Sequence, residues 1–186
     1  MTIDAARCNS FCWYFCLVAI ASIALLAANT DTQAGRQTMR KDHYGPEVHG
    51  LQARVTLSQH GYRIGVPIVA LCEVKNISST EQILWHSGFW PNHLLLVKDV
   101  KGDELPLTPQ GNLTRNDFNP GGERVKNYPE RVAPGKKSTE EGGFDLTKLY
   151  QLRRPGLYSV QMIYEEHQRG WNGRVTSNLA WFRLTN

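Results

Sequence analysis

From Leu51 onward, short stretches of alternating apolar and polar residues are separated by turn residues. In the first stretch, Leu51, Ala53, Val55 and Leu57 fall on one face and polar side chains fall on the other. A period of two residues is that of a strand with one buried face, and no stretch keeps the helical period. The pattern predicts strands at residues 51–58, 68–75, 82–86, 94–99, 104–107, 137–144, 157–165 and 175–184.

Two of these strands carry an especially regular apolar face. The residues that share a face are Ile68, Ala70, Cys72 and Val74 in one strand, and Tyr158, Val160, Met162 and Tyr164 in the other. Short strands at regular intervals with turn residues between them are typical of a β-sandwich. We therefore predict an all-β fold for residues 50–186, an immunoglobulin-like antiparallel sandwich of about seven to eight strands.

Three segments between the strands are candidates for a binding surface, because loops on a rigid frame often carry function. They are residues 86–93, 109–130 and 166–173. The stretch 109–130 is polar, contains Asn119-Pro120-Gly121-Gly122 and is predicted to be a long loop. A brief helical turn is predicted over 146–152, with Asp145 as its N-cap.

The N-terminal residues have the pattern of an export signal. Arg7 precedes residues 11–28, which carry no charge, and small residues follow at Ala28 and Ala34. We predict a signal peptide or N-terminal anchor over 1–34 and a polar tether over 35–49. Cleavage after Ala28 or Ala34 is expected, with retention of residues 11–28 as a membrane anchor as the alternative, because about 20 apolar residues span a bilayer. The protein is thus predicted to be exported to the periplasm, the cell envelope or the medium.

Cysteine usage and charge exclude several classes of function. Three of the four cysteines lie in the predicted leader, so Cys72 is expected to be a packed, inert thiol without a disulfide partner. The formal charge of +4 is spread over short basic pairs, which does not predict a nucleic-acid surface. The only membrane contact expected is through the N-terminal segment.

Motifs of catalysis and of cofactor binding are absent from the sequence. There is no Gly-x-Ser-x-Gly, phosphate loop or dinucleotide fingerprint. The six histidines lack the tight spacing of a metal site, and although His86 and His93 flank one loop, they are expected to be solvent-exposed. We therefore predict no enzyme activity, no metal and no cofactor.

Aromatic residues in the predicted loops are the best candidates for binding. Phe89 and Trp90 lie in one loop, and the sequence Gly170-Trp171-Asn172-Gly173 is expected to be a tight turn that presents the Trp171 side chain. Trp181, in contrast, is expected in the core. Exposed tryptophans stack on sugar rings or anchor protein partners, so the partner is either a protein or a polysaccharide.

Several turn-and-strand motifs occur together in residues 50–186. They are Arg63-Ile64-Gly65-Val66-Pro67-Ile68, Val74-Lys75-Asn76-Ile77-Ser78, Val97-Lys98-Asp99-Val100-Lys101-Gly102, Val132-Ala133-Pro134-Gly135-Lys136, Phe144-Asp145-Leu146 and Arg154-Pro155-Gly156-Leu157-Tyr158-Ser159-Val160. The set resembles bacterial extracytoplasmic immunoglobulin-like modules and is similar to the intracellular proteinase inhibitor-like domain family. The resemblance implies the fold more than the function, and no inhibitory segment matches.

The last of these motifs has a physical meaning of its own. Pro155 and Gly156 are expected to fix a turn, and Tyr158 enters the strand two residues later, as in a tyrosine corner. Taken together, the sequence predicts an exported, non-enzymatic binding module that binds through its end loops. A proteinase inhibitor-like domain and a carbohydrate-binding module are the alternatives.

Overall fold

The computed structural model describes residues 43–86, 89–120, 128–139, 143–167 and 170–186. They belong to one compact unit, Asp42–Asn186. The predicted signal or anchor, residues 1–34, lies outside the described residues. Within the described ranges, no helix is long and apolar enough to cross a membrane.

The described part of the chain is mostly β, which confirms the predicted all-β class, and it holds eleven strands and two helices. The strands are β1 (Leu51–Leu57), β2 (Gly61–Arg63), β3 (Val69–Asn76), β4 (Gln82–His86), β5 (His93–Asp99), β6 (Tyr128–Val132), β7 (Lys137–Thr139), β8 (Phe144–Asp145), β9 (Gly156–Glu166), β10 (Gly173–Thr176) and β11 (Ala180–Thr185). The helices are α1 (Pro109–Asp117), between β5 and β6, and α2 (Leu146–Leu149), between β8 and β9.

These strands form two larger sheets and one strand pair. In the first sheet β3 is central, with β1 on one side and both β7 and β8 as further antiparallel partners. In the second sheet β9 is central and pairs antiparallel with β5, β10 and β11. The short β2 runs parallel to β11 at the edge of that sheet. The third sheet consists of β4 and β6.

One hydrophobic cluster receives the buried faces of both larger sheets. On the first sheet Val55 lies opposite Cys72, and on the second Val97 lies opposite Val160. All four side chains are buried, and the neighbouring positions along β1 point away from the core. The apolar faces predicted for residues 51–58, 68–75 and 157–165 are therefore the core faces. Burying them supplies most of the driving force for folding.

Residues 109–117 form α1 rather than part of a long loop. The Thr108 side chain accepts a hydrogen bond from Gly111 N at 3.0 Å, and Pro109 occupies the first turn, where its missing N–H costs nothing. The helix has no regular apolar stripe and buries only Gly111 and Thr114, which is why its pattern was not visible in the sequence. Residues 128–130, also placed in the predicted loop, begin β6.

Other strand predictions were wrong in detail. The predicted strand 175–184 is divided into β10 and β11, and residues 61–63, which lie between two predicted strands, form β2. Residues 104–107 make isolated bridges at Glu104 and Leu107 instead of a strand. Asp145 caps α2 as predicted, but the helix ends at Leu149.

Residues 43–49, predicted to be tether, are part of the compact unit. Gly45 N donates to Ala53 O at 2.8 Å, and Val48 pairs with Leu51. The Tyr44 hydroxyl donates to Glu73, which also pairs with Arg54 at 3.0 Å. These contacts fix the start of the domain to the outer face of the first sheet.

Candidate functional site

Phe89, which lies just before β5, is at the centre of a stack of aromatic rings. The Phe89 ring lies between those of His93, at 3.9 Å, and Phe144, at 3.8 Å between centroids. His93 Nδ1 lies 2.8 Å from Phe89 O, to which it donates because a carbonyl only accepts. Both Phe89 and His93 are buried, so the expectation that they would be exposed was wrong.

Trp90, the next residue, is only half-buried. Its indole meets Phe89 at 4.9 Å and an interplanar angle of 89°, and Phe144 at 4.8 Å and 61°. Both contacts are edge-to-face, whereas Phe89 is stacked on His93 at 11° and met by Phe144 at 31°. Trp90 is therefore held in place by its neighbours without being enclosed by them, and it is the one predicted aromatic candidate that remains accessible.

Trp90 borders an open cleft of about 450 Å³. The cleft lies between the segment that precedes β3, the strand β8 and the helix α2, and it is lined by Pro67, Val69, Trp90, Gly143, Phe144, Asp145, Lys148 and Leu149. Gly143 has a φ of 67°, and a Cβ there would lie 2.7 Å from Ala70 O. A side chain at this position would therefore displace the floor of the cleft from β3.

The two charged residues of the cleft have different roles. Asp145 Oδ1 accepts hydrogen bonds from Thr147 N at 3.0 Å, Thr147 Oγ1 at 2.7 Å and Ile68 N at 3.2 Å. Its carboxylate thus caps α2 and ties the helix to the start of β3. Within the described ranges, the Lys148 ammonium makes no hydrogen bond or ion pair. The cleft therefore presents one positive charge that the fold itself does not use.

Comparison with known proteins adds no assignment to this site. No protein family matches the chain, and no curated protein does either. Solved structures of a beta-glucosidase from Listeria innocua, in complex with glucose and with gluconolactone, align at TM-scores of 0.33 and 0.31 with 15% and 11% identity. In both cases 73% of this chain is covered, and the chain spans 16% of the neighbour's length. Similarity at this level assigns neither a fold nor an activity.

A water-sized cavity of about 10 Å³ lies on the other side of Trp90 and Leu149, beneath α1. The hydroxyl of Tyr150 lines it, donates to Leu95 O at 2.6 Å and accepts from Arg115 Nη2 at 3.0 Å. Burial raises the pKa of Tyr150, and the nearby Glu104 carboxylate raises it further. This network fastens α1 to β5.

Trp171 does not join the cleft, and the prediction that its turn exposes it was wrong. The side chain is 3% exposed, its Nε1 donates to His49 O at 3.2 Å, and its ring lies 5.6 Å from that of Tyr164. Gly170 and Gly173 have positive φ values, which permit the turn, and the indole packs inward against His49 and Tyr164. Trp181, predicted in the core, is only half-buried because Phe182 takes the inward position.

A second polar cluster is buried between β4 and β9. Glu166 is fully buried and accepts from the Tyr164 hydroxyl at 2.5 Å and from Trp85 N at 3.2 Å. Burial raises the pKa of Tyr164 well above 10.0, and the adjacent Glu166 charge adds to this effect. Asn92 Nδ2 donates to Trp85 O at 3.0 Å. The cluster joins the strand pair β4–β6 to the second sheet, and it has no access to solvent at the Glu166 carboxyl.

The remaining candidates are Cys72 and the residue types that bind metals. Cys72 is buried in the core, as predicted for an inert thiol. Among the residues that the structure describes, no three His, Cys, Asp or Glu side chains are grouped as metal ligands. Phe144 and Lys148 were not predicted as site residues, and the signal in the sequence for both was the Asp145 cap that lies between them.

Proposed function

We propose that this chain is an exported, non-enzymatic binding module with an immunoglobulin-like sandwich, and that it holds its ligand in the cleft beside Trp90. Two larger sheets that share one core support the sandwich assignment. The hydroxyl of Tyr158 bonds back to Arg154 O, as a tyrosine corner requires. Export rests on the sequence of residues 1–34.

The observation that carries the proposal is the cleft itself. Its volume of about 450 Å³ lies within the usual range for ligand sites, which is roughly 300–1,000 Å³. Apolar side chains form most of its lining, and two charged residues, Asp145 and Lys148, complete it, which resembles the usual composition of a binding pocket. Trp90 offers a large aromatic surface that is already immobilised, so that binding costs little side-chain entropy.

The alternatives from the sequence differ in support. A proteinase inhibitor needs an extended, rigid loop that enters a protease cleft. No inhibitory segment matches in the sequence, and the longest predicted loop, residues 109–130, contains α1 and the start of β6. A carbohydrate site built on Trp90 together with Trp171 is excluded by the burial of Trp171. A site built on Trp90 and the cleft is compatible with a sugar or with a partner's side chain.

The test uses the full chain on a glycan array and on an immobilised peptide library. Trp90→Leu removes the aromatic wall of the cleft, and Trp181→Leu is the matched control on the outer face of β11. We expect a ligand that binds the native chain and the Trp181 variant, is lost in the Trp90 variant and is recovered chemically unchanged. Binding that survives Trp90→Leu would place the site elsewhere, and conversion of the ligand would contradict a non-enzymatic role.

A further inference from the structure

We propose that the Trp90 cleft takes a saccharide with an anionic group, its ring stacked on the Trp90 indole and its charge against Lys148. The proposal rests on the binding function above and names the ligand class of the same cleft. Its basis is that the half-buried Trp90 and the exposed Lys148, whose ammonium has no partner among the described residues, line the same cleft.

The charge argument begins with the two ionised side chains that line the cleft. Three hydrogen bonds to Oδ1 commit the Asp145 carboxylate to the helix cap and to Ile68 N. Lys148, three residues later on α2, has no such partner among the described residues. An anionic group on a ligand would therefore neutralise the Lys148 charge. Such a contact favours binding, because a charge-assisted hydrogen bond to an ammonium is stronger than a neutral one.

The shape argument concerns the face of the indole. Phe89 and Phe144 meet Trp90 at interplanar angles of 89° and 61°, so neither ring is stacked parallel on the indole. Aromatic faces bind other ring faces by stacking, and the C–H face of a sugar ring has the flat, apolar form that such a surface accepts. The cleft is open, which leaves the hydroxyl groups of the sugar in water, where they need no protein partner.

A peptide is the less favoured occupant. An extended peptide gains most of its affinity by pairing its main chain with a free strand edge. The strand that lines the cleft, β8, is only two residues long, and its pairing with β3 uses one of its two edges, so the other edge offers a peptide too few main-chain groups for an extended ladder. Pro67, on the neighbouring segment, has no N–H to donate.

The probes are oligosaccharides of polygalacturonate, alginate and hyaluronan, each offered as the acid and as its neutral methyl ester. Carrageenan oligosaccharides, which carry sulfate and no carboxylate, form a second arm. Binding to the full chain is measured by titration calorimetry at low and at high salt. We expect at least one acid to bind about fivefold or more tighter than its ester, with the difference reduced at high salt. A preference confined to carrageenan would identify sulfate as the anion.

Substitutions of two lysines distinguish an effect of the Lys148 charge on binding from a general effect of lost charge. Lys148→Met should remove the preference for the acid and leave the affinity for the ester unchanged, whereas Lys148→Arg should keep it. Lys101→Met, in the turn after β5, is the control for a general loss of charge. If acids and esters bind equally to the native chain, or if only peptides bind at Trp90, this proposal is overturned and the binding function stands. If no probe of either class depends on Trp90, the binding function fails as well.

Discussion

The phenol of Tyr158 donates a hydrogen bond of 2.9 Å to the main-chain oxygen of Arg154. The bond spans Pro155 and Gly156, where the chain enters β9, and a Cβ at Gly156 would lie 3.3 Å from the Tyr158 ring. The same ring stacks on Phe182 of β11 with 5.7 Å between centroids. One side chain thus fixes both the entry of β9 and its contact with the neighbouring strand.

Tyr158→Phe should lower the free energy of unfolding by about 1 kcal/mol, because it removes one hydrogen bond and keeps the ring. Tyr158→Leu should lower it by roughly 2 kcal/mol or more, because it also removes the stacking on Phe182. Urea titration followed by tryptophan fluorescence measures both values. Equal stability of the native chain and the Phe variant would show that the corner contributes nothing.

Tyr164 makes stability depend on alkaline pH. Its pKa in the folded chain is well above the ordinary value of 10.0, first because it is buried and then because Glu166 is adjacent. Above pH 10.0 the unfolded chain therefore releases the proton that the folded chain still holds. The stability that the folded chain gains from this difference in pKa is fully present below pH 10.0. It is lost as the pH rises toward the folded pKa, at about 1.4 kcal/mol per pH unit.

The measurement is the free energy of unfolding between about pH 9 and 11, in the range where tyrosine titrates. Tyr164→Phe should lower stability at neutral pH, because Glu166 loses a donor, and should also make the alkaline decline less steep. Tyr128→Phe is the matched control, since that side chain is 60% exposed, and it should not change the slope. An unchanged slope in Tyr164→Phe would contradict the assignment of the proton to Tyr164.

Trp171 and Trp90 should differ in their contribution to the free energy of unfolding. Trp171→Ala is expected to cost about 3–5 kcal/mol of stability, because it empties a buried site and removes the bond to His49 O. Trp90→Ala should cost less, because the indole is only half-buried. Thermal and urea unfolding of both variants provide the comparison. A loss of stability as large for Trp90 as for Trp171 would mean that Trp90 is a core residue.

Strand faces were predictable because they follow from a local rule. Along β1, alternate side chains leave the backbone on opposite sides, so the positions of Leu51, Ala53 and Val55 already specified the core face. The corner at Tyr158 was predictable for a similar reason, because the turn residues and the tyrosine lie within five positions of Arg154. Features whose determinants are close in sequence can be predicted from one sequence.

The cleft was not predictable, because its determinants are distant in sequence. Trp90 faces Phe144, 54 positions later, only after β8 has paired with β3. The burial of Trp171 depends on His49 and Tyr164, neither of which lies in its own turn. The turn around Trp171 could be predicted from its neighbours in sequence. The direction of its indole could not, because that direction depends on packing against residues of other segments.

Helices α1 and α2 approach each other closely at Gly111 and Leu149. A Cβ at Gly111 would lie 2.0 Å from Leu149 O, and Thr108 N donates to the same oxygen at 2.9 Å. Gly111→Ala should therefore separate the two helices and cost roughly 1–3 kcal/mol, although alanine is a better helix former than glycine. Because α2 carries Lys148, the variant should also weaken ligand binding in the Trp90 cleft.

Gly61→Ala is the matched control for this change. Gly61 begins β2, has no positive φ, and a Cβ there would meet nothing within 4 Å. It should leave stability unchanged or raise it by up to about 1 kcal/mol, by restricting the unfolded chain. Denaturant titration of both variants tests the pair. If Gly111→Ala were as stable as Gly61→Ala, α1 and α2 would not be in close contact, and α1 would not hold Leu149 and Lys148 in their places beside the cleft.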